Sequence, residues 1–169
     1  MKDVLADSIR GFRLPRYREI PDVGLYLEQT TKYINQVVEP LGFGLLTGSM
    51  IRNYVKQGLL TNPVNKQYSA NQIAHLIAIA VLKQVIPLEH ISNLFSFQER
   101  VYTDEVAYNY FCEEMENILY HRFGIKGKYD MIGVTDTVEK EMLRSGIIAV
   151  SNIVYLNACL KMLAERHYN

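Results

Sequence analysis

Ser49-Met50-Ile51-Arg52-Asn53-Tyr54-Val55-Lys56-Gln57-Gly58-Leu59-Leu60 is the stretch on which the fold turns. Ile51, Tyr54, Val55 and Gly58 recur at spacings of three and four, so they share one face of a short helix. Ser49, Arg52, Asn53 and Lys56 share the opposite face at the same spacing. That second face is rich in hydrogen-bond donors and holds no acid. Arginine can grip guanine with two bonds, asparagine can pair with adenine, and lysine and serine suit phosphate oxygens. The alternative is the solvated side of an ordinary amphipathic helix. Thr47 or Ser49 supplies the N-terminal cap, and Gly58 is a natural left-handed terminator.

Upstream, Asp22 is expected to cap a helix that reaches Glu39, with Val23, Tyr26, Leu27, Thr30, Tyr33, Ile34, Val37 and Val38 at helical spacing. Pro40, Gly42 and Gly44 end it. Two short helices joined by a turn make a helix-turn-helix arrangement. Downstream, Asn62-Pro63 and Asn65 lead into a hairpin-like segment with Lys66, Gln67 and Tyr68, placed like a wing that lies against the backbone beside a groove. Ser69-Ala70-Asn71-Gln72 is a capping box that opens a strongly apolar helix. Ile86-Pro87 breaks that helix, and a short helix runs from Leu88 to about Phe95. Residues 96–102 read as a connection. Thr103-Asp104-Glu105 starts the next helix, and Thr135-Asp136 opens a last one of about 30 residues.

Residues 1–21 read as an arm. Arg10, Arg13, Arg16 and Arg18 alternate with Phe12, Leu14 and Tyr17, while Pro15 and Pro21 forbid a continuous helix. The chain of 169 residues then divides into this arm, a winged helix-turn-helix over 22–96 and a C-terminal helical unit over 97–169. The fold class expected is mainly α, with the C-terminal unit serving dimerisation or regulation.

The net charge is zero, with 18 basic and 18 acidic residues, but the signs are unevenly placed. From residue 40 to residue 88 there is no Asp or Glu, while Arg52, Lys56, Lys66 and Lys83 lie there. From residue 96 onward, eight basic residues face eleven acidic ones. A basic patch on a neutral chain points to one anionic partner surface, or else to a charge-depleted core.

Other chemistries find little support. The four histidines, His75, His90, His121 and His167, form no ligand pattern. His75, between Ala74 and Leu76, reads as a satisfied core or boundary histidine. Cys112 and His121 are out of phase on one helix, and Cys159 reads as a small buried hydrophobe. Glu113, Glu114 and Glu116 read as a solvated helix face. There is no phosphate loop and no nucleophile elbow. No catalytic, cofactor or metal set is expected. With two cysteines and no apolar leader at Met1-Lys2-Asp3-Val4, the compartment expected is cytoplasmic. No uninterrupted apolar run of about 18 residues points to a membrane; the nearest, from Gly146 to Leu163, is broken by Ser151, Asn152, Asn157 and Lys161.

Twelve tyrosines are present and no tryptophan. Tyr102, Tyr108, Tyr110, Tyr120, Tyr129 and Tyr155 either pack between helices or line a small-molecule pocket. The last helix carries two apolar stripes. Leu143, Ile147, Val150, Val154, Asn157 and Leu160 make one; Ile148, Ala149, Tyr155, Leu156, Cys159 and Leu163 make the other. A helix apolar nearly all round must be covered on both sides, so a homodimer through it is expected.

The run Ile51 to Leu60, with Pro63, Tyr68, Ile73 and Leu88-Glu89-His90-Ile91, resembles the winged helix-turn-helix of MerR-type regulators over roughly residues 25–95. Asn53 and Val55 depart from that pattern, and the wing has a single lysine, Lys66. Leu14-Pro15-Arg16, Ile20-Pro21-Asp22, Leu25-Tyr26 and Asn53 to Gly58 resemble the domain of unknown function 1836 family, whose members are regarded as candidate DNA-binding proteins. The resemblance implies a transcriptional regulator that binds double-stranded DNA. The residues expected at the DNA are Thr47, Ser49, Arg52, Asn53, Lys56, Lys66, Gln67 and Tyr68, and a small-molecule effector is a further expectation. The alternatives are a helical protein-interaction module and a small-molecule sensor without DNA binding.

Overall fold

The computed structural model describes residues 2–128, 130, 132 and 137–167. The chain is mainly α-helical. In order come α1 (Lys2–Ile9), a 3-10 turn (Tyr17–Glu19), β1 (Leu25–Tyr26), α2 (Leu27–Val38), a 3-10 turn (Glu39–Leu41), α3 (Gly48–Lys56), β2 (Gln67–Tyr68), α4 (Ala70–Leu82), α5 (Leu88–Glu99), α6 (Asp104–Arg122) and α7 (Val138–His167).

The capping box at Ser69 forms as the sequence requires. Ser69 Oγ accepts from Gln72 N at 3.3 Å, and Gln72 Oε1 accepts from Ser69 N at 2.9 Å. The helix it opens, α4, is the hub of the molecule. From Gln72 to Leu82 every residue but His75 is buried, because α2, α5, α6 and α7 surround it. A helix apolar on all sides has to lie at the centre. Thr103 caps α6, its Oγ1 accepting from Val106 N at 3.3 Å.

Five expectations change. Asp22 does not cap α2: Gly24, at a φ of +81°, turns the chain into β1, and α2 starts at Leu27 with the Gln29 carboxamide accepting from Tyr26 N at 2.9 Å. The segment read as an arm is packed against the body, with Leu5, Ile9, Phe12, Leu14 and Ile20 in the core. Its apolar residues outweigh its arginines once acids pair with those arginines, Asp7 and Glu19 within the segment and Glu105 and Glu116 from α6. α5 continues to Glu99, so most of the expected connection is helical. Glu114 and Glu116 do not form a solvated face: Glu114 is 0% exposed and binds Arg144 at 2.9 Å, and Glu116 binds Arg16 at 2.5 Å. Finally, α7 is long and apolar enough over Val138–Glu165 to cross a membrane by length and composition, with a mean hydropathy of 1.7 over its most apolar window. Scattered polar residues interrupt the run without lowering the average enough. Only 22% of that window is buried. The Thr135-Asp136 helix start and Tyr129 lie outside the described residues.

The small sheet is antiparallel, with Leu25 opposite Tyr68 and Tyr26 opposite Gln67. Val64 and Gln67 exchange backbone bonds at 3.1 and 2.9 Å around Asn65 and Lys66. Both tip residues have positive φ, 51° and 63°, the conformation of a tight two-residue hairpin turn.

Candidate nucleic-acid interface

The turn before α3 is fixed by one side chain. Asn35 on α2 donates to the Leu46 carbonyl and accepts from the Leu46 amide, both at 2.9 Å. Thr47 then caps α3, its Oγ1 accepting from Met50 N at 3.2 Å. At Gly48 a Cβ would lie 3.1 Å from Leu27, so glycine allows α3 to sit close on α2. Ile51 and Tyr54 anchor α3 in the core. Gly58, at φ +74°, lets the chain reverse, and the amides of Leu59 and Leu60 both donate to the Tyr54 carbonyl.

The loop that follows is pinned to α4 by the same Gln72 that completes the capping box. Its Nε2 donates to the carbonyls of Thr61 and Asn62 and to Thr61 Oγ1. Asn35 and Gln72 thus hold α3 from both ends. Sequence reasoning gave Gln72 only its capping role and gave Asn35 none, because a single polar residue in a helical stripe does not reveal its partner.

On the outer side of α3, Ser49, Arg52, Asn53 and Lys56 are all exposed, as is Thr47 beside them. Arg52 Nη2 lies 3.4 Å from Ser49 Oγ. Lys66 projects at the hairpin tip and is exposed, while Gln67 is half-buried and leans on Gly24. Tyr68 corrects an expectation. It is 3% exposed and belongs to the core. Burial pushes its phenol up, and the nearby Arg52 charge opposes that. Its place in β2 opposite Leu25 turns the ring inward beneath the stripe, so it supports the surface instead of contacting a ligand. Lys83 is drawn partly inward. It is half-buried at the C-terminal end of α4, beside Met50 and Asn53 of α3, its Nζ 3.5 Å from the Tyr54 hydroxyl, and burial lowers its pKa.

The exposed cations of this stretch are Arg52, Lys56 and Lys66. None forms an ion pair among the described residues. The arginines of the N-terminal segment differ. Arg13 pairs with Glu19 at 2.6 Å and holds that carboxyl down at about 2, Arg16 pairs with Glu116, and Arg18 pairs with Glu105 at 2.7 Å. Arg144 pairs with both Glu114 and Glu141. The arginines of the N-terminal segment and Arg144 are neutralised by acids, while the α3 and hairpin charges are open to solvent.

Comparison with known proteins gives one match. The family described as Domain of unknown function (DUF1836) matches residues 15–120. That span includes α3 and the hairpin, and it also takes in the last part of the N-terminal segment and most of α6. No curated protein and no solved structure matches the chain.

Proposed function

The chain belongs to the domain of unknown function 1836 family, and from that premise we propose that it binds duplex DNA in the manner of a MerR-type winged helix-turn-helix. The carrying observation is the outer face of α3, where Ser49, Arg52, Asn53 and Lys56 are exposed together with no acid between residues 40 and 88. α2 and α3 act as the helix-turn-helix, and the hairpin that ends in β2 acts as the wing. α3 has nine residues, a length of about 13 Å, which suits insertion into the major groove. Arg52 and Asn53 then reach base edges, while Lys56 and Lys66 neutralise phosphates and Thr47 and Ser49 lie at the groove's edge.

The two kinds of residue fail differently. Arg52→Ala costs about 1–3 kcal/mol on the preferred site and relaxes base preference there. Lys56→Ala weakens every duplex alike and reduces the salt dependence by about one unit of slope. Sites selected from random duplex DNA, titrated with each variant at several salt concentrations, measure both. If wild-type protein binds no duplex in a salt-dependent way, the proposal fails and a protein-interaction module takes its place.

A second copy of the chain is the proposed partner of α7. Ile147, Val150 and Val154 turn into the core, so the first apolar stripe is already covered over most of its length. Ile148, Leu156, Leu160 and Leu163 remain exposed, at 37% to 56%. Asn152, Asn157 and Lys161 are exposed beside them. A narrow apolar seam edged by polar residues fits one partner helix better than lipid on all sides. A two-fold dimer also matches DNA with two half-sites.

A further inference from the structure

Between α4, α5, α6 and α7 lies a partly enclosed cavity of about 240 Å³. Its walls are mostly apolar and aromatic, with Ala78, Leu82, Phe95, Tyr108, Phe111 and Leu143 among them, and α7 adds Glu139 and Lys140. One end is different. There the His75 ring stacks on Phe95, centroids 4.8 Å apart and planes 18° from parallel. His75 Nε2 is buried and has no hydrogen-bond partner, although Asp104 Oδ1 lies 3.6 Å away. The carboxylate of Glu99, an exposed residue that is not part of the cavity wall, stands close by, so that one ligand atom of each of the three lies within 4.8 Å of the others. Burial of His75 favours its neutral form, against the pull of Asp104 and Glu99. With the imidazole neutral, the two carboxylates present lone pairs, and His75 Nε2 joins them as an acceptor in the tautomer that carries its proton on Nδ1.

Acceptors gathered at the end of an apolar cavity suit a donor-rich cation with an apolar body. We propose that this cavity binds a small aromatic amine, its ring held between α4 and α6 and its ammonium set among His75 Nε2, Asp104 and Glu99. An ammonium offers three donors and carries the charge that two carboxylates call for. A cavity of about 150 Å³ can hold benzene. The present one has room for a ring and a short side chain as well. A metal ion would use the three polar groups alone and leave the aromatic walls without a role. The amine uses both. Lys140, which lines the cavity from α7, stands over the Tyr110 ring at 5.2 Å from its centroid. This site stands whether or not α3 binds DNA.

Phenethylamine is the probe, titrated into the full chain by calorimetry and by amide-resolved NMR. The expected result is saturable binding with shifts centred on α4 and the start of α6. Ethylbenzene and phenylacetate, which lack the ammonium, are expected to bind at least tenfold more weakly. Asp104→Asn should weaken phenethylamine at least tenfold, and Ala107→Leu, which fills the cavity, should abolish binding. Both variants are first checked for a wild-type circular dichroism spectrum and melting profile. If Asp104→Asn does not fold, the exposed Glu99→Gln replaces it, with a weakening of severalfold expected. Equal binding of all three probes would overturn the role of the polar end. Absence of saturable binding up to millimolar phenethylamine would overturn the site. Zinc or manganese binding that Asp104→Asn abolishes, with no amine binding, would replace the amine by a metal ion and overturn the proposal.

Discussion

At the scale of single residues, the interior of this protein contains charge that is held by partners from distant parts of the chain. Glu114 is fully buried and Arg144, 30 residues away, is 7% exposed. Arg144 has a second acceptor in Glu141 at 2.5 Å, whereas Glu114 has no other ion partner among the described residues. Removing Arg144 is therefore the worse loss. Arg144→Met should cost about 3–5 kcal/mol in urea unfolding, because it strands a buried carboxylate. Glu114→Leu should cost less, and the double variant Glu114→Leu/Arg144→Met should return close to wild type. His75 gives the pH counterpart. Burial holds its folded pKa below the ordinary 6.5, so the unfolded chain takes up the proton first. The contribution is complete above about 6.5 and is lost as pH falls from there toward the lower folded value. Thermal melts from pH 8 to pH 5 should show a fall in wild type that is shallower in His75→Gln. Glu19, held at about 2 mainly by Arg13, acts only at far lower pH and leaves that window clear.

At the scale of elements, α3 is placed by its neighbours more than by its own contacts. Nine residues cannot hold a helix in water unaided, so its orientation comes from Ile51 and Tyr54 in the core and from Asn35 at the turn. Asn35→Ala removes both bonds to Leu46 and leaves a half-buried amide and carbonyl unpaired. The expected loss is about 2 kcal/mol of stability, read by denaturant unfolding. Under the DNA reading the same variant should also weaken all duplexes alike at temperatures where it remains folded, because it misplaces the whole stripe without changing any residue of it. A variant that loses stability yet reads its site with unchanged affinity would show that the Asn35 clamp does not set the position of α3.

For the whole molecule, the proposed dimer would be made by α7. Its inner face is closed by α6 and α4, and its outer seam of Leu156 and Leu160, at 56% and 55% exposure, is open in one chain. Leu156→Asp/Leu160→Asp should turn a dimer into a folded monomer by light scattering, and under the DNA reading it should abolish cooperative binding to paired half-sites. Wild-type protein that is already monomeric at micromolar concentration refutes the dimer. The cavity beside α4 belongs to this scale too, since its walls come from four helices that meet only in the folded chain.

Local chemistry was written in the sequence and the structure keeps it. Ser69 with Gln72, Thr47 with Met50, Thr103 with Val106 and the reversal at Gly58 all form within a few residues, so spacing alone determined them. The same holds for the α3 stripe, because helical periodicity places Ser49, Arg52, Asn53 and Lys56 together wherever the helix lies. What only the tertiary structure decided are partnerships across long stretches of chain. Arg16 meets Glu116, Arg144 meets Glu114, Lys83 reaches toward Tyr54, and Tyr68 turns inward against β1. A charge or an aromatic ring reads as surface or as contact until the element that covers it is in place. Residues 2–20 show this most fully: arginines that read as a basic arm became the paired rim of a core segment. The acids that neutralise two of them, Glu105 and Glu116, lie about a hundred residues away, where no periodicity or spacing can bring them into view.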